Sequence, residues 1–182
     1  MKIVRILLVI AIYMLLSLML CSCRSKPEDT DHIDGGVQHY EDTNAPKFVK
    51  SEEITVFSCE FSATNLPLNE SSIAGRYYTF YAGKYSGSFE ARGDGVVYEK
   101  QSFVPDTAFF AQLQKIVAKY NLAQYNGEFY TVSGLPPDLG VKLDIQYASG
   151  ENIRASNNQS CFLPIEAMEA LVELFHAHNA AI

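Results

Sequence analysis

Tryptophan is absent from this 182-residue chain, which weakens any reading as a sugar-stacking platform. The 4 cysteines are too few for a disulfide-dense scaffold. With 11 glycines and 7 prolines, the chain is neither collagen-like nor low-complexity. Basic residues are short as well: 14 stand against 21 acidic ones, for a net charge of −7. That balance argues against a nucleic-acid partner, which needs a basic surface. Several chemical signatures are missing too. There is no C-x-x-C for redox work, no H-E-x-x-H or paired-cysteine spacing for a metal, no G-x-S-x-G elbow and no G-x-x-x-x-G-K phosphate loop. His176-x-His178 falls at the end of a helical stretch, where residues two apart point about 200° apart and cannot share an ion. No catalytic residue, metal or cofactor is therefore expected.

Long apolar runs are scarce except at the start. Lys2 and Arg5 open the chain, Ile6 to Leu20 is an apolar stretch of 15 residues broken only by Ser17, and no acid appears before Glu28. A cationic start, an apolar middle and a small-residue exit make an export signal of bacterial type. A spanning helix needs about 20 apolar residues, so a permanent anchor fits less well.

The exit Leu20-Cys21-Ser22-Cys23 resembles the lipobox of bacterial lipoproteins, with an aliphatic residue three before the cysteine and a small one immediately before it. The competing frame ending at Cys21 puts Leu20 where the family has a small residue. The resemblance implies cleavage after residue 22 and lipidation of Cys23, as a diacylglyceryl thioether with a further acyl chain such as palmitate. One chain holds a bilayer only marginally, at about 0.8 kcal/mol per buried methylene, whereas two or three anchor stably. An ordinary secretion signal or an uncleaved anchor is the alternative. Loss of Lys2 and Arg5 with the leader would take the net charge from −7 to −9, so membrane contact is expected through the lipid alone. The expected location is the cell membrane or the outer membrane, on the extracytoplasmic side.

Residues 24–52 are rich in acids, with Pro27, Pro46 and Gly35-Gly36, and show no apolar period. They read as a flexible tether. A single domain is expected over 53–182. Ile54–Phe61, Arg76–Ala82, Ser86–Ala91, Val96–Phe103, Val141–Tyr147 and Asn152–Ser156 have strand composition or period-2 alternation, with turn signals at Arg92-Gly93-Asp94-Gly95 and Ser149-Gly150. Phe109, Phe110, Leu113, Ile116, Val117 and Tyr120 mark a helix opened by Pro105-Asp106, and Ile165, Met168, Leu171, Val172 and Phe175 mark a second. Tyr125–Gly140 reads as a long loop. The order predicts an α+β two-layer sandwich, an antiparallel sheet with both helices on one face. Tyr125-Asn126-Gly127, Val141–Tyr147, Gly150, Ile153–Ser156 and the Ala167–Phe175 helix make this body similar to small uncharacterised bacterial lipoproteins. That resemblance implies fold and no activity.

Within the body, Cys59 and Cys161 are either bridged, closing a loop worth up to about 4.7 kcal/mol, or separate buried thiols. Tyr77, Tyr78, Phe80, Tyr81 and Tyr85 form an aromatic cluster, the first four in one expected strand and Tyr85 just past it. Alternation sets Tyr77 and Tyr81 on the face opposite Tyr78 and Phe80, which makes Tyr77 and Tyr81 the expected partner-binding residues. Arg92-Gly93-Asp94 matches a tripeptide that integrin receptors bind, although Asp-Gly is also what a tight turn requires. The expected role is a non-catalytic, membrane-tethered domain of the cell envelope that contacts another envelope protein or peptide. The alternatives are an exported hydrolase with an unrecognised site and an inhibitor of an envelope enzyme.

Overall fold

The computed structural model describes residues 36–66, 71–136 and 138–179. The leader, Cys23 and the tether up to residue 35 lie outside the described residues. Among the described residues eight strands form one sheet: β1 (Val37–Glu41), β2 (Ile54–Ser62), β3 (Tyr77–Gly83), β4 (Gly87–Gly93), β5 (Val96–Phe103), β6 (Glu128–Val132), β7 (Val141–Tyr147) and β8 (Asn152–Asn157). The other elements among the described residues are two α-helices, α1 (Thr107–Lys119) and α2 (Ile165–Asn179), and a 3-10 turn at Leu122–Tyr125. The order across the sheet is β1-β6-β8-β7-β2-β3-β4-β5. Every neighbouring pair is antiparallel except β6 with β8. The fold is an α+β sandwich of an open sheet and two helices.

The core forms where the pleat places apolar residues on the helix side. Phe57, Cys59 and Phe61 of β2 line up with Tyr78, Phe80 and Ala82 of β3, Phe89 and Ala91 of β4, and Leu143 and Ile145 of β7, and all are buried. Phe80 lies 4.9 Å from Phe175 of α2 between ring centroids, and Phe109 of α1 meets the same ring at 5.0 Å. Edge-on aromatic pairs of this kind contribute about 0.5–1.5 kcal/mol each beyond area burial. Helix α1 starts where Asp106, in extended conformation, accepts a hydrogen bond from the Phe109 amide at 2.7 Å. A cap of this kind is worth about 1 kcal/mol.

Two elements differ from the sequence reading. The stretch read as a tether to residue 52 contains β1, and the stretch read as a loop from Tyr125 contains β6. They pair with each other, 87 or more residues apart along the chain, from Glu41↔Glu128 to Val37↔Val132. All five β1 residues are exposed, so no alternation of apolar and polar residues marks it. Backbone pairing and a few side chains hold it instead. Lys47 Nζ sits 3.0 Å from Glu128 and 3.9 Å from Glu41. The body thus begins at β1 rather than at Glu53.

Asn126 fastens this corner. It is buried, its Nδ2 donates to the carbonyls of Pro46 (3.0 Å) and Asn152 (3.1 Å), and its Oδ1 accepts from the Arg154 amide (2.8 Å). Gly127 follows at φ +83°, where a Cβ would lie 2.6 Å from Ala45 Cβ and 2.8 Å from the Asp42 carbonyl. The Asn-Gly pair is therefore an architectural device.

Candidate functional site

The helices cover one face of the sheet, and among the described residues no layer lies over the other. The open face is set by the pleat, with alternate residues of each strand standing in rows across the sheet. One row crosses all eight strands: Tyr40, Phe129, Ser156, Lys142, Glu60, Thr79, Glu90 and Lys100. The next row runs Arg154, Asp144, Ser58, Tyr81, Ser88 and Ser102. Tyr77 stands opposite Ser62 and Arg92 in a third.

Tyr78 and Phe80 are in the core, and Tyr77 and Tyr81 stand on the open face. The two tyrosines differ sharply there. Tyr81 is 40% exposed and leans along β3 over Gly83, where a Cβ would fall 2.7 Å from its hydroxyl. Tyr77 is only 5% exposed. Its hydroxyl donates to Glu60 Oε2 at 2.7 Å, and the Arg92 guanidinium lies 4.7 Å from its ring centroid. Burial, then the Glu60 hydrogen bond, holds the Tyr77 hydroxyl protonated far above the ordinary tyrosine range. Arg92 in turn donates from Nη2 to Asp138 Oδ1 at 2.7 Å. A chain of contacts, Glu60–Tyr77–Arg92–Asp138, thus ties the segment before β7 to the open face.

Arg92 is therefore folded onto the sheet and not displayed as part of an Arg-Gly-Asp loop. Asp94 (φ 50°) and Gly95 (φ 74°) supply the left-handed residues that the β4–β5 hairpin needs, which accounts for the tripeptide as turn chemistry.

The two cysteines are free thiols, with no bridge between them. Cys59 is buried in the core, and burial, then the neighbouring charge of Cys161, pushes its thiol well up. Cys161 donates to Met168 Sδ at 3.6 Å, and burial pushes its thiol up to about 11. The two histidines diverge. His176 Nε2 is 3.0 Å from Glu99 Oε2, whereas His178 packs between Phe103 and Phe109, with Nε2 3.4 Å from the Val104 carbonyl. Among the described residues no group of three or more His, Cys, Asp or Glu is placed to hold a metal ion. No helix among them is long and apolar enough to cross a membrane.

A cavity of about 520 Å³ opens at one end of the sheet, lined by Ile54, Thr55, Lys84, Pro105, Asp106 and Phe110 among others. Asp106 in its wall is engaged in capping α1. The sequence reading missed Glu60, Arg92, Asp138, Lys142 and Arg154 as members of the open face. Period-2 alternation within the expected strands places three of them there, Glu60, Lys142 and Arg154, while Arg92 falls in the expected turn and joins β4 only in the structure. Asp138 lies outside any strand, so only the fold brings it in. Compared with known protein families, curated proteins and solved structures, the chain matches none.

Proposed function

We propose that this chain is a lipid-tethered, non-catalytic binding domain of the bacterial cell envelope, held on the extracytoplasmic side of the cell membrane or outer membrane through Cys23. Its partner is another envelope protein or peptide. The support for the anchor is the apolar run from Ile6 to Leu20 followed by Leu20-Cys21-Ser22-Cys23. The observation that carries the binding role is the uncovered sheet face with Tyr81 at its middle, 40% exposed among short serine and threonine side chains. The carboxylates of that face are engaged: Glu60 with Tyr77, Glu90 with Lys100, Asp138 with Arg92, and Asp144 with Arg154. That arrangement favours recognition over acid–base chemistry, which needs a carboxyl poised for proton transfer.

The test labels cells with radioactive palmitate and follows wild type, Cys23→Ala and Tyr81→Ala through membrane fractionation and pull-down. Label in wild type, its loss in Cys23→Ala together with release from membranes, and reduced partner recovery with Tyr81→Ala are the expected results. A Cys23→Ala protein that stays on membranes, or a wild type that never takes label, overturns the anchor. Unchanged partner recovery with Tyr81→Ala overturns the surface. Hydrolysis or enzyme inhibition by the purified chain in a substrate panel would replace the binding role with one of the alternatives.

A further inference from the structure

The open face has a vertical order of charge. Lys100 and Arg154 keep 70% and 55% of their side chains exposed, while the acids beside them, Glu90 and Asp144, keep 23% and 34%. Lys142 is exposed and forms no ion pair among the described residues. Glu60, directly opposite it in register, is partly buried and bonded to Tyr77. At Lys100, Lys142 and Arg154 the cation is thus the outer tip and the neighbouring carboxylate the lower layer, whereas in the Arg92–Asp138 pair the order reverses, with 35% and 45% of the side chains exposed. Arg92, Lys100, Lys142 and Arg154 balance Glu60, Glu90, Asp138 and Asp144, so the face is neutral on a chain of net charge −7. The acidic excess lies elsewhere, and an anionic partner meets no net repulsion from this face.

The tips are also spaced. Lys142 on β7 and Lys100 on β5 stand in one row with β2, β3 and β4 between them, four strand intervals or roughly 19 Å. Thr79 in that row, and Ser58 and Ser88 beside it, leave a low floor with Tyr81 standing among them. An extended segment of about six residues covers that distance at about 3.3 Å per residue. From this geometry we infer that the open face docks an extended acidic peptide segment of a partner protein, laid across the strands. Carboxylates at its ends meet Lys142 and Arg154 on one side and Lys100 on the other, and its middle rests on Tyr81. The inference names the partner chemistry of the surface proposed above and does not depend on the lipid anchor.

The test measures fluorescence anisotropy of labelled octaglutamate with the full chain in detergent. Tetraglutamate, octalysine, oligodeoxythymidylate and phosphatidylglycerol vesicles are run alongside. Octaglutamate is expected to bind, more tightly than tetraglutamate and less so as salt rises. The Lys142→Glu/Arg154→Glu variant is expected to lose about tenfold or more in affinity. Lys115→Glu/Lys119→Glu on helix α1, exposed on the opposite layer, is expected to bind as wild type. Lys142→Gln/Arg154→Gln, with unchanged thermal unfolding, separates lost charge from lost fold. Four results overturn the inference: no octaglutamate binding, tighter binding of octalysine, equal loss in the helix-layer variant, or vesicles or oligonucleotide bound through the same Lys142 and Arg154. Palmitate labelling reads the anchor separately, so either reading can fail alone.

Discussion

Replacing Asn126 with alanine should unfasten the corner where β6, β8 and the chain after β1 meet. The side chain makes three hydrogen bonds at a position only 3% exposed, to the Pro46 and Asn152 carbonyls and from the Arg154 amide. Truncation leaves three backbone groups short of a partner. At about 1 kcal/mol for each, the loss is about 3 kcal/mol, a large share of a small domain's stability. Asn126→Asp keeps the shape but turns the donating nitrogen into an oxygen that faces two carbonyl oxygens. Burial and those carbonyls raise the carboxyl pKa in the folded state. A raised folded pKa gives stability that is present below the unfolded value, about 4, and lost as pH rises through the folded one. The aspartate variant should therefore be weakest at neutral pH and recover on mild acidification, while the alanine variant shows no added pH dependence. Urea unfolding followed by far-ultraviolet circular dichroism measures both. An alanine variant within about 0.5 kcal/mol of wild type would mean that these bonds are not what secures the corner.

Two glycines on either side of Asp138 make a contrasting pair. Gly140 has φ +74° and a Cβ there would lie 1.9 Å from the Asn157 carbonyl oxygen, whereas Gly134 at φ +81° meets nothing within 4 Å. Gly140→Ala should cost well over 2 kcal/mol and Gly134→Ala about 1, and equal costs in thermal melts would contradict the packing argument. The two thiols should resist a disulfide reagent in the native protein at neutral pH, because burial raises both, and should react together in urea. Fast native labelling of Cys59 would contradict its place in the core. Burial, then Glu151, pushes the Tyr147 hydroxyl up to about 12. Stability should hold below the ordinary tyrosine value of about 10 and fall as pH rises through the folded value. Tyrosinate absorbance that develops fully at pH 10 without unfolding would disprove it.

The strands legible in the sequence were those with one wet and one dry face. Val141, Leu143, Ile145 and Tyr147 alternate with Lys142, Asp144 and Gln146, and the structure buries the first set. Both helices were legible from their apolar spacing, and α1 from its aspartate cap. The β1–β6 pair was not, because burial gives it no periodic signature and its partners are far apart in sequence. The site was half legible. Alternation assigned Tyr77 and Tyr81 to one face, but only the structure shows Arg92 lying over Tyr77, since that contact depends on Asp138 from a distant segment.

The edge position of β1 has a mechanical consequence. A pull on the chain ahead of Gly36 reaches the body through the outermost strand, which has one neighbour and five residues. Tension would peel that strand from β6 one register step at a time until it met the Asn126 clasp on Pro46. Val37 to Pro46 pays out about 35 Å of chain when extended, so the sheet can yield slack under load while its remaining strands stay folded.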